Sequence, residues 1–85
     1  MEPIREGQCY QATRSLVMWA APPNGVVSRT TTICSGDIVL TIEHQTPKWI
    51  LILLRSRIYR VHSFDLGDFV TSRGLILLTD AKDDK

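Results

Sequence analysis

The stretch that most limits what this chain can fold into is Trp49–Val61, Trp-Ile-Leu-Ile-Leu-Leu-Arg-Ser-Arg-Ile-Tyr-Arg-Val. Trp49 to Leu54 are apolar without a break. Side chains of a strand alternate between its faces, so an unbroken apolar run asks for cover on both sides. Arg55-Ser56-Arg57 then reads as a short polar turn, and Ile58-Tyr59-Arg60-Val61 alternates and asks for cover on one side only. The pattern predicts a hairpin whose first strand lies at the centre of the molecule.

The rest of the chain is arranged around that hairpin. Residues 1–7 form a polar lead-in, ordered from Ile4 onward, that ends at Gly7. Gln8–Thr13 alternates loosely and suits a strand. A helix over Glu6–Ala21 competes, because Tyr10, Thr13, Val17 and Ala20 recur near the helical period. Ser15–Ala21 stays open between strand, loop and helix. Pro22-Pro23-Asn24-Gly25 is a stop and turn signal. Val26–Ile33 is rich in Val and Thr and fits a strand. Cys34-Ser35-Gly36-Asp37 makes a tight turn. In the strand that follows, Ile38, Leu40 and Ile42 share one face, and Val39, Thr41 and Glu43 the other. His44–Lys48 is a polar loop. Ser63 can cap a single helical turn ended by Gly67. Phe69-Val70-Thr71 and Leu75–Leu78 are two further short apolar segments, and the charged residues 80–85 read as a disordered tail. Short strands parted by turn signals predict an all-β fold, a small, partly open barrel of about five to six antiparallel strands with one short helical turn. One domain spans residues 1–79.

Several function classes lose support at this stage. No apolar run approaches the roughly 18 residues that span a bilayer, and Met1–Glu6 lacks the apolar core of a secretion signal. The expectation is a cytoplasmic chain with no membrane contact. Cys9 and Cys34 read as two small buried apolar side chains; without a nearby histidine pair they build no zinc site, so no metal is expected. His44 and His62 are the only histidines, and no oxyanion-hole glycine motif accompanies either. Asp37, Asp65 and Asp68 sit where turns and caps use carboxylates. The glycines are scattered singly, so there is no phosphate loop. The reading is of a chain without catalytic residues, cofactor or small-molecule substrate.

The order of features resembles a Src-homology-3-like barrel. The parallels are Cys9-Tyr10 in a first strand, a long flanking loop over Thr13–Arg29, and a diverging turn at Gly36-Asp37-Ile38-Val39. Trp49 opening a strand, the hairpin at Arg55-Ser56-Arg57 and a helical turn at Ser63-Phe64-Asp65-Leu66 complete it. The resemblance covers roughly Gln8 to Val70 and implies the barrel. It does not imply the family's proline-rich-ligand groove. In place of the aromatic first strand, Trp pair and Pro-x-x-Tyr segment that line that groove, this chain has one early Tyr, one Trp at the matching place, and Ser-Phe-Asp-Leu.

Two features point to partners. Net charge is +1, yet Arg55, Arg57 and Arg60 crowd the hairpin, and with Lys48 they offer guanidinium and ammonium groups to phosphates. Trp49–Leu54, Leu75–Leu78 and Leu16–Trp19 supply more apolar surface than a small barrel hides, a mark of protein interfaces. An edge strand at Leu75–Leu78 also suits pairing across a two-fold, which makes a homodimer. The expected function is a non-enzymatic protein-interaction module using Met18, Trp19, Lys48, Trp49, Arg55, Arg57, Tyr59 and Arg60. Such small chains look like phage or mobile-element accessory proteins that inhibit a host defence factor by steric occlusion. The competing expectation is a nucleic-acid-binding barrel that uses Arg55, Arg57 and Arg60.

Overall fold

A computed structural model of the chain describes residues 4–24 and 28–78. Seven strands and one helix follow in the order β1 (Cys9–Ala12), β2 (Leu16–Ala21), β3 (Arg29–Ile33), β4 (Ile38–His44), β5 (Trp49–Leu54), β6 (Arg57–His62), α1 (Ser63–Thr71) and β7 (Leu75–Leu77). The strands make one antiparallel sheet in the order β3-β2-β6-β5-β4-β1-β7. The apolar run is its central strand, as its composition requires. The sheet does not close on itself, so this is an all-β, partly open architecture with β3 and β7 as edges. No helix among the described residues is long and apolar enough to cross a membrane. The charged tail, Val26, Val27 and Gly25 lie outside the described residues.

The inner face of the sheet is the core. Ile50, Ile52 and Leu54 of β5 are fully buried with Val39 of β4, Val61 of β6 and Ile33 of β3. Each such side chain contributes about 1.5–3 kcal/mol by leaving water. α1 closes one end by burying Leu66, with Phe69 and Val70 packed against the core. The outer face of β5 differs from expectation. Trp49, Leu51 and Leu53 are only half-buried, so the run is sealed on one side and not on two. Among the described residues there is a single short helix, and no second layer covers that side.

Three local details resolve or correct the sequence reading. Leu16–Ala21, open between strand, loop and helix, is a strand with Leu16, Met18 and Ala20 inward and Val17 and Trp19 outward, so Thr13–Arg29 is not the long flanking loop expected. The helix runs nine residues and passes through Gly67. Its N-cap is His62, whose Nδ1 accepts the Phe64 N–H at 3.2 Å, while Ser63 Oγ donates outward to the Pro47 carbonyl. It stops in a Schellman pattern, Gly74 N–H to Phe69 O at 2.8 Å and Arg73 N–H to Val70 O at 3.1 Å. Arg73 holds the left-handed position (φ 67°) that glycine usually takes. Finally, a bulge between Thr41 and Glu43 sets Glu43 opposite Leu51 on the outer face, against the plain alternation. The bulge keeps a carboxylate out of the core.

Two turns fix the ends of the central strands. Gly36 (φ 92°) occupies the third position of the β3–β4 turn, where positive φ is needed. Asp37 Oδ2 accepts the Cys34 N–H at 2.9 Å, the turn-amide role expected of it. The β5–β6 turn places both Arg55 (φ 51°) and Ser56 (φ 67°) at positive φ, the two-residue hairpin geometry for which Asn-Gly is the usual choice. Arg55 is held there by Asp37 (Nη1 to Oδ2, 3.1 Å) and by the Thr32 carbonyl (Nη2, 2.8 Å). Cys34 is exposed beside this contact, 3.8 Å from Arg55 Nη1, and so is not the buried cysteine expected; Cys9 is half-buried, and both are free thiols. At the other end, Thr41 Oγ1 donates to Arg5 O and accepts from Gln8 N, and Glu6 Oε2 accepts the His44 N–H. These bonds strap the lead-in down so that Ile4 is buried in the core cluster.

Candidate protein-binding cleft

The outward side chains of β2, β5 and β6 meet the start of α1 in a cleft of about 450 Å³. It is lined by Trp19, Ser28, Trp49, His62, Phe64, Asp65 and Asp68. The sequence builds it from three local rules. Alternation along β2 throws Trp19 outward, where it is 59% exposed. Cross-strand pairing sets Trp49 directly opposite His62, and their rings meet edge-on with centroids 5.1 Å apart. Capping of α1 by His62 then turns Phe64 outward, 63% exposed, with its ring 5.6 Å from the imidazole. The loop before β5 is fixed to the same place, since Ser63 N–H donates to the Lys48 carbonyl at 2.8 Å.

The site is aromatic with an acidic rim. Arg60 stacks on Trp49, its Cζ 5.3 Å from the ring centroid. Asp65 is half-buried and Asp68 exposed, and neither takes part in the Arg55–Asp37 ion pair or in the contact of His44 with Glu6. The histidines expected to be idle both have structural work: Nδ1 of His62 caps α1, and Nδ1 of His44 lies 3.3 Å from Glu6. No group of three or more His, Cys, Asp or Glu among the described residues is placed to hold a metal ion.

Of the eight residues singled out from sequence, Trp19 and Trp49 line the cleft and Arg60 backs it. Lys48 is exposed in the adjoining loop. Met18 is only 3% exposed, so it packs in the core and faces away from any partner. Tyr59 packs against the core from the inner face. Arg55 and Arg57 sit at the opposite end of β5 and β6 from Lys48, roughly 20 Å away by strand rise. The four basic residues therefore make no single patch, and Arg55 is already engaged by Asp37. His62, Phe64, Asp65 and Asp68 were missed.

The chain matches no protein-family model, no curated protein and no solved structure.

Proposed function

We propose that this chain is a non-enzymatic protein-interaction module that grips its partner through the Trp19–Trp49–Phe64 cleft and acts by covering the partner's working surface. The observation that carries the reading is the pair of large rings, Trp19 and Phe64, left 59% and 63% exposed around one cleft. Isolated exposed apolar residues are ordinary, but aromatic rings gathered at a concave site are what protein hot spots are made of. The separation of Arg55 and Arg57 from Lys48 favours this reading over a phosphate-binding strip. A small inhibitor of a host defence factor, of the kind phages and mobile elements carry, would work in this way.

The test is affinity capture from host extract with and without nuclease, at low and high salt, using the parent chain, Trp19→Ala with Phe64→Ala, and Arg55→Glu with Arg57→Glu. The expected result is a stoichiometric protein that survives nuclease and salt, persists with the arginine variant, and is lost with the aromatic one. Capture that disappears with nuclease, or with the arginine variant alone, overturns the proposal in favour of nucleic acid.

A further inference from the structure

We propose that the outer face of β4, β5 and β6 is a self-association surface whose occupant is a second copy of this chain, related by a two-fold axis running along β5. The inference concerns a surface beside the cleft; it shares with the cleft only Arg60 and its stacking on Trp49, and otherwise rests on different residues. Directly paired residues of antiparallel strands share a face, so the pairings define two outward rows. One reads Leu40–Leu53–Ile58 and the other Glu43–Leu51–Arg60, each from β4 through β5 to β6. Leu40, Leu51 and Leu53 are half-buried, Ile58 is 45% exposed, and Glu43 is exposed.

Both rows are symmetric about β5 in the sense that a two-fold along that strand demands. Such an axis lays β5 on β5 and exchanges β4 for β6. Leu53 then meets Leu53 and Leu51 meets Leu51. Leu40 of each copy meets Ile58 of the other, and Glu43 of each meets Arg60 of the other. Every contact is apolar on apolar or acid on base, and each unlike pair occurs twice. An axis lying across the strands fails this condition, since it sets Glu43 over Leu40 and Arg60 over Ile58 and so buries charge against apolar side chains. The bulge at Thr41/Glu43 is what brings the carboxylate onto this face, and stacking on Trp49 holds the Arg60 guanidinium there. Three strands about 4.8 Å apart make a patch smaller than the roughly 800 Å² per partner of a standard interface, the size class of transient contacts, so the dimer is sought at micromolar concentrations.

The experiment measures solution mass by sedimentation equilibrium across micromolar concentrations. Parent mass should rise toward twice 9.6 kDa. Glu43→Arg alone and Arg60→Glu alone should each stay monomeric, and an equimolar mixture should recover the dimer, because both charge contacts are restored in the mixed pair. Circular dichroism checks that each variant is folded. If Arg60→Glu, which gives up its stacking on Trp49, does not fold, position 53 supplies a second pair. That side chain meets itself on the axis, so Leu53→Asp and Leu53→Lys should each be monomeric and should dimerise when mixed. A parent chain that stays monomeric throughout overturns the proposal. So does a dimer that survives the single charge reversals, which would point to edge pairing at β7, and so does a mixture that fails to recover.

Discussion

The two faces of the sheet are built from nearly the same residues and end in different states. Ile50, Ile52 and Leu54 look inward and are 0–1% exposed, while Leu51 and Leu53, one position along, look outward and stay half-covered. Composition does not distinguish them. What differs is the supply of cover: the inner face receives β2, β3, α1 and the strap at Ile4, whereas the outer face of β4–β6 meets β2 and α1 only at the Trp49–His62 end, away from Leu53. The lesson is that an apolar run reports how much surface a strand wants buried, not whether its own chain does the burying. The surplus on the outer face is the observation on which the proposed self-association rests.

The comparison can be broken most sharply by truncating neighbours. Ile52→Ala leaves a cavity in the sealed face and should cost about 2–5 kcal/mol in a urea titration of dilute protein. Leu53→Ala should cost less than about 1 kcal/mol, since solvent already reaches that side. Equal losses would mean that the outer face is as packed as the inner. The next largest effect tests how tightly the inner face is closed. A Cβ at Gly74 would stand 2.9 Å from Leu16 Cδ2 and 3.3 Å from Arg14 Nη2. Leu16 is core and cannot yield as an exposed arginine can, so Gly74→Ala should destabilise by about 1–3 kcal/mol. At the hairpin where the two faces share an edge the sign reverses. Ser56→Gly removes a left-handed non-glycine residue and should raise stability by about 1 kcal/mol, read as a higher urea midpoint with unchanged slope.

The smallest effect concerns the strap over the inner face. The His44 N–H donates to Glu6 and, with the His44 side chain beside it, lowers the Glu6 pKa below its ordinary value. A depressed carboxylate contributes fully above its unfolded pKa and loses that contribution as pH falls through the folded value. The protection factor of the His44 amide, its exchange rate taken relative to the intrinsic rate at the same pH, should therefore fall as the solution is acidified through that window, and Glu6→Gln should flatten the response. A response that persists in the variant would assign it to another group.

Much of the fold was legible because turn chemistry and alternation spoke together. Trp49–Leu54 followed by Arg55-Ser56-Arg57 predicts the central hairpin, and Gly36 with Asp37 predicts the β3–β4 turn. The all-β antiparallel sheet does not conflict with the Src-homology-3-like expectation, but β2 stands inside Thr13–Arg29, the stretch read as a long flanking loop. Less legible were features whose signals are split. β2 hides its alternation because Val17 and Trp19 on the wet side are as apolar as Leu16 and Met18 on the dry one. The helix past Gly67 was concealed by a glycine that suggested a stop, while the true stop uses Arg73; the spacing of Leu66, Phe69 and Val70 was the signal that α1 continues. For the cleft, the two tryptophans were legible as residues and not as neighbours. Their meeting depends on a cross-strand pairing and on capping by a histidine.

The bulge in β4 has a consequence for chain length. Thr41 pairs with Ile52, Glu43 with Leu51 and His44 with Ile50, which leaves Ile42 with no counterpart on β5. Ile42 is thus a spare residue in the ladder. Deleting it should leave each of those β4–β5 partners matched as before, whereas deleting Leu40 slides Val39 and all that precedes it by one place and turns the core face of the strand toward water. A scan of single-residue deletions along β4 should find one tolerated gap, at Ile42, in a strand that otherwise resists shortening.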